Sequence, residues 1–172
     1  KQACPWHFGR AMMSAMKAIL FAALVFPVAL STSVLGADAG WGALELLGSR
    51  AEPGTKSQLT FVSERSFSRD TLDTDVFVVR GAKPGPTLCL IAAVHGDEIN
   101  GVEIARYSYA ESDPATLSGT LISIPIVNVW GFRSGNRMLP DRRDLNRGFP
   151  GNRTGSTASQ IAFNLFDRVI RH

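Results

Sequence analysis

Two side chains three residues apart, His95 and Glu98 in the run HGDEING, form the first pair in this chain whose types and spacing could do chemistry. An imidazole nitrogen with one or two carboxylate oxygens is a donor set that a first-row metal accepts, and both residues stand where the apolar run Leu88 to Val94 gives way to a turn. Gly96 leaves the backbone room to bend, and Asn100 or Gly101 can open the helix that follows. Catalytic zinc usually takes three protein ligands and leaves a fourth position to water, so a further His must come from elsewhere. Taken alone, the HxxE spacing reads most simply as a solvated loop or a helix cap.

A second motif, DRRDLNRGFPG, changes that balance. Asn146 and Arg147 set a donor amide beside a planar guanidinium, a combination suited to holding a substrate carboxylate in bidentate fashion. Arg137 stands upstream, after Gly135 and Asn136, in a loop from which it could reach a developing oxyanion. Arg133, Arg142 and Arg143 are rivals for that role.

At these residues the chain resembles the succinylglutamate desuccinylase/aspartoacylase family, a branch of the zinc carboxypeptidase superfamily. HGDEING and RMLPDRRDLNRGFPG carry the likeness, which spans roughly Ser57 to Arg171. The resemblance implies a zinc-dependent hydrolase that removes an acyl group from an N-acylated amino acid or a similar amide. By the same resemblance His95 and Glu98 match the first two zinc ligands, Asn146 and Arg147 the carboxylate-binding pair, and Arg137 the oxyanion-stabilising arginine. Asp144 is expected to order the Arg147 loop or to orient a metal ligand. Arg142 stands where the family often has glycine. The family's third zinc ligand, a His ending a later strand, and its catalytic Glu have no counterpart. Of three histidines, His7 falls in an expected leader and His172 ends an amphipathic helix. The chain therefore reads as a fragment truncated at its carboxyl end, inactive as it stands.

The elements that position these residues follow from apolar periodicity. Gln58 to Glu64, Asp75 to Arg80 and Thr120 to Val127 read as strands, and Leu88 to Val94 as a strand buried on both faces. Lys83 to Pro86 reads as a turn, Val102 to Ala110 as a helix, and Ser156 to Arg171 as a helix capped by Ser156 or Thr157, with Ile161, Leu165 and Val169 at intervals of four. This order predicts an α/β fold with a largely parallel centre, and the resemblance makes it zinc-carboxypeptidase-like, a mostly parallel or mixed sheet flanked by helices. Ligands of such sheets bind at the carboxyl ends of strands, where His95 falls.

Residues 1–36 read as a leader with a secretory signal, 37–56 as a linker or lead-in, and 57–172 as the amino-terminal part of the catalytic domain. Met16 and Lys17 precede an apolar run from Ala18 to Leu30, and small residues follow at Gly36 to Ala39, the three-part form of an export signal. Cleavage after Gly36 or Ala39 predicts a periplasmic or secreted protein with no stable membrane span. The run is shorter than the roughly 20 residues a spanning helix needs, and Pro27 interrupts it. Cys89 would then be the sole cysteine, which excludes an internal disulfide and suits a buried, inert thiol.

A net charge of +3 gives no general basic bias, yet six arginines crowd between Arg133 and Arg153. The residues between them are Gly, Asn, Pro and Asp more than the aromatics of a stacking platform, so a small anionic substrate explains the cluster better than nucleic acid. Glu103 reads as a solvated helix face, and GNRTGS as a turn lacking the lysine of a phosphate loop. The expected function is thus a zinc deacylase of carboxylate-bearing amides. The alternatives are an exported metallocarboxypeptidase or peptidoglycan-peptide amidase on the same scaffold, and a non-catalytic carboxylate-binding remnant.

Overall fold

In a computed structural model, which describes residues 41–65 and 71–172, the apolar runs become a mixed sheet with helices on both faces. The leader expected over residues 1–36 lies outside the described residues. Strands β1 (Leu44–Leu46) and β2 (Ser49–Ala51) form a small antiparallel hairpin. A four-stranded sheet follows, built from β3 (Thr55–Arg65), β4 (Thr71–Arg80), β5 (Lys83–Ile91) and β6 (Ser118–Ile124) in the order β3-β4-β6-β5. β3 and β6 both run antiparallel to β4, and only β5 with β6 is parallel. The parallel part of the expected sheet is therefore confined to the pair that carries the site.

Helix α1 (Asn100–Glu111) links β5 to β6 and covers one face, where the Ser123 hydroxyl donates to the Ala105 carbonyl at 2.8 Å. The short helix α2 (Val129–Ser134), a 3₁₀ turn at Leu145–Arg147 and helix α3 (Thr157–Leu165) follow, and a wider π turn continues from Phe166 to Ile170. Ser156 caps α3, its hydroxyl oxygen accepting from the Ser159 amide at 3.4 Å. The apolar stripe of α3 and the π turn packs on the sheet face opposite α1: Ile161, Leu165 and Val169 join Phe61, Val76, Val78, Ile122 and Ile124 in one core. Each such burial contributes roughly 1.5–3 kcal/mol, which holds in place helices too short to be stable alone. Among the described residues no helix is long and apolar enough to cross a membrane.

Three expectations are corrected. The stretch from Trp41 to Thr55 is no loose lead-in: Leu46 and Ala51 of the hairpin are each 1 % exposed, in the core. Nearby, the buried Arg80 guanidinium lies 3.5 Å from the Trp41 ring and donates to the Gly42 carbonyl and the Thr120 hydroxyl. Its pKa is lowered by burial. Lys83 to Pro86 is not a turn but the first part of β5, where the register against β6 shifts between Lys83 and Thr87. Prolines fit there because an edge strand does not need every N–H. Nor is the apolar run buried on both faces, for Leu88 is 63 % exposed and Cys89 to Ile91 are half-buried. The reason is topological: β5 ends the sheet order, so among the described residues it pairs on one side only. Burial also raises the pKa of the Cys89 thiol, as suits an inert group.

Candidate functional site

The site forms where the carboxyl ends of β5 and β6 are tied together. Beyond β5, the Ala92 amide donates to the Ile124 carbonyl, and the Val127 and Asn128 amides donate back to the carbonyls of Ala92 and Ala93 at 3.1 and 2.9 Å. This stapling holds Ala93 at φ 44°, a left-handed conformation that costs a non-glycine residue roughly 1–2 kcal/mol. The chain thereby turns sharply and delivers His95, 6 % exposed, beneath the rim of the site.

Gly96 owes its place to a close approach rather than to an unusual φ. A Cβ built there would lie 2.0 Å from the Gly131 carbonyl carbon and 2.3 Å from the Phe132 nitrogen, so the His95 loop rests directly on the backbone of α2. Asn128, 1 % exposed, secures the other side: its Oδ1 accepts from the Gly131 amide at 2.8 Å and its Nδ2 donates to the Arg137 carbonyl at 3.4 Å. Gly135, at φ 62°, ends α2, and the Asn136 amide returns to the Gly131 carbonyl at 2.8 Å. Together these contacts bring Arg137 back over the His95 loop.

His95 sits between two carboxylates. Its Nδ1 lies 3.0 Å from Glu98 Oε1 and its Nε2 lies 2.9 Å from Asp144 Oδ1. Asp144 Oδ1 also accepts from the Asn146 amide at 2.9 Å and so caps the 3₁₀ turn. The Asp144 pKa is lowered first by the His95 hydrogen bond, with help from the Asn146 amide and the Arg147 charge. Arg137 Nη1 donates to Glu98 Oε1 at 2.7 Å, and this bond, ahead of the one from His95, lowers the Glu98 pKa. The Arg137 pKa is raised in turn, chiefly by the same bond.

This chain of contacts fits a metal ligand pair. When Asp144 accepts a proton from Nε2, the lone pair left on Nδ1 faces a carboxylate oxygen, so a proton or a cation must lie between them. A carboxylate holding the far nitrogen of a ligating imidazole is the usual way a protein fixes the tautomer. His95 Nδ1 and Glu98 Oε1 would be the two donors. Among the described residues no group of three or more His, Cys, Asp or Glu could hold a metal.

The structure therefore brings His95, Glu98 and Arg137 together and places Asp144 behind them. Of the rival arginines, Arg143 sits 3.6 Å from Asp141, Arg133 lines a separate cleft with Thr60 and Asp75, and Arg142 is exposed at φ 62°. The side chains of Asn146 and Arg147 are exposed at the rim, with Asn146 bordering an apolar groove lined by Ile91, Val94, Phe149, Phe166 and Ile170. Glu103 is exposed on α1, its carboxylate 3.9 Å from Arg106, as a solvated face would have it. Sequence reasoning missed Asn128, whose only sign was an Asx residue just ahead of a short VWGF segment.

Comparison with known proteins bears on this corner of the fold. The catalytic-domain model of succinylglutamate desuccinylase/aspartoacylase matches residues 84–172. An N-alpha-acetyl-L-2,4-diaminobutyric acid deacetylase from Halomonas elongata is 34 % identical over 87 residues, which is 50 % of this chain and 25 % of that protein. A succinylglutamate desuccinylase/aspartoacylase from Rhodobacter sphaeroides superposes with a TM-score of 0.60 at 29 % identity, covering 67 % of this chain and 36 % of that one. An aspartoacylase family protein from Mesorhizobium loti gives 0.61 at 28 % identity, covering 69 % and 38 %. The chain thus spans about a quarter of the length of the curated relative and little more than a third of each solved structure. Since the family model takes in more than half of the 172 residues, both motifs included, the chain belongs to the succinylglutamate desuccinylase/aspartoacylase family.

Proposed function

We infer that the chain carries the metal-binding end of a zinc-dependent hydrolase that removes an acyl group from an N-acyl amino acid or a related carboxylate-bearing amide. The observation that carries this reading is the line from Asp144 through His95 to Glu98, with both imidazole nitrogens facing carboxylate oxygens at 2.9 and 3.0 Å. Zinc, when bound, lowers the pKa of its water to about 7 and polarises the amide carbonyl. Asp144 orients His95, Arg137 stabilises the negative charge that develops on the carbonyl oxygen, and Asn146 with Arg147 holds the substrate carboxylate. Loss of one oxyanion donor costs roughly 3–4 kcal/mol in the barrier. The attacking water also needs a base, and neither carboxylate here serves: Glu98 is committed to the metal and Asp144 to His95. The similarity to a deacetylase of an acetylated amino acid supports the choice of amide, and the signal-like stretch from Met16 to Ala39 supports export.

In an intact enzyme that adds a third metal ligand and a base to these residues, hydrolysis of N-acetyl and N-succinyl amino acids is to be compared with hydrolysis of short peptides, with and without a zinc chelator. Turnover of N-acyl amino acids that is lost with chelator and restored by zinc is the expected result, with Arg147→Ala raising KM strongly. Preference for peptides moves the reading to a metallocarboxypeptidase or peptidoglycan-peptide amidase. Zinc binding with no turnover leaves a carboxylate-binding protein.

A further inference from the structure

One oxygen at the site serves two partners. Glu98 Oε1 accepts from Arg137 Nη1 at 2.7 Å while lying 3.0 Å from His95 Nδ1, the nitrogen whose far side Asp144 occupies. That oxygen and that nitrogen are the donor pair assigned above to the metal. The guanidinium is therefore already neutralising the carboxylate charge on which a divalent cation would depend. The Arg137 backbone is not free to follow its side chain. Asn128 Nδ2 holds its carbonyl, the Asn136 amide is bound to Gly131, and Gly131 is packed against Gly96. The side chain is 45 % exposed and long, so exchange at Glu98 needs only a swing of the guanidinium.

We propose that Arg137 is a resident counter-cation of Glu98 that a divalent metal displaces, so that filling the metal position and freeing the guanidinium for the substrate are one exchange. The proposal rests on the metal reading above. Arg137 gives up Glu98 Oε1 when the metal takes it, and the freed guanidinium is left on a backbone held by Asn128 and Gly131. By linkage, an anionic ligand that draws Arg137 away from Glu98 tightens metal binding by the same factor as the metal tightens that ligand.

Zinc affinity is to be measured on the full chain by competition with a chromogenic chelator, for the wild type, Arg137→Gln, Arg137→Lys and Arg143→Gln, with far-ultraviolet circular dichroism to check the fold. The expected result is zinc binding about two- to fivefold tighter in Arg137→Gln, the range an exposed ion pair supports. Arg137→Lys stays close to the wild type, and Arg143→Gln, which removes an equal charge paired elsewhere, leaves affinity unchanged. Raising ionic strength narrows the gap between wild type and Arg137→Gln, because the exposed pair is screened. Equal or weaker binding by Arg137→Gln overturns the exchange while the metal reading stands. Equal tightening by Arg143→Gln also overturns it, as an effect of net charge. Absence of zinc binding in both wild type and Arg137→Gln overturns the exchange as a property of this chain, because the two donors alone then do not hold the ion, while the metal reading is judged by the chelator experiment above.

Discussion

The two sides of the sheet's parallel pair differ sharply. β6, between β4 and β5, carries Ile122, Ser123 and Ile124 at 1 % exposure or less, whereas its partner β5 leaves Leu88 63 % exposed. Both strands end at the same corner, so His95 and Glu98 hang from the lightly packed strand and are stapled to the well-packed one through Ala92 and Ala93. The difference teaches that the site inherits its precision from β6 and α2 rather than from the strand that bears its motif.

The largest expected effect tests the packed side directly. Leu165→Ala, at a fully buried position of the α3 core, should cost about 2–5 kcal/mol in chemical denaturation, while Leu88→Ala should change stability by less than about 0.5 kcal/mol. Equal costs would erase the contrast. Gly96→Ala comes next. Its Cβ would meet backbone on α2, so a loss of about 3 kcal/mol is expected in the same denaturation measurement, together with weaker zinc binding because the His95 loop must lift off α2.

A smaller effect sharpens the site itself. Asp144→Asn keeps the shape beside His95 but allows its amide nitrogen to face the ring, and zinc affinity should fall about 10- to 100-fold by competition titration, with little change in melting temperature. The smallest change should be favourable. Arg142 is held at φ 62°, and Arg142→Gly should raise stability by about 1 kcal/mol in thermal or chemical denaturation. No gain would show that the Arg142 side chain offsets the strain of its backbone.

How far the sequence could be read varies with how local the cause was. β3, β4, β6 and α3 follow from apolar periodicity, since each buries a stripe or face that its own residues specify. The exposure of Leu88 was not legible, because burial of a strand depends on what lies beyond its edge. The hairpin at Leu44–Ala51 and the helix at Val129–Ser134 are too short to show a period. At the site, the spacing of His95 and Glu98 was visible, and the DLNR run pointed to Asp144 as well as to Asn146 and Arg147. The resemblance singled out Arg137 from Arg133, Arg142 and Arg143, and the fold aims it at Glu98. The part played by Asn128 was hidden, for its partners are a main-chain amide and a main-chain carbonyl that no side-chain pattern encodes.

The Arg80 and Trp41 contact sets a limit on processing. Arg80 is 8 % exposed, and its recorded partners are an indole face, the Gly42 carbonyl and the Thr120 hydroxyl rather than a carboxylate. A buried charge stripped of such partners is strongly destabilising. Cleavage after Gly36 or Ala39, were the leader a secretory signal, would leave Trp41 and Gly42 in place over the guanidinium. A cut only a few residues further along would bare it, so any trimming of the amino terminus that leaves this corner of the sheet intact must stop short of Trp41.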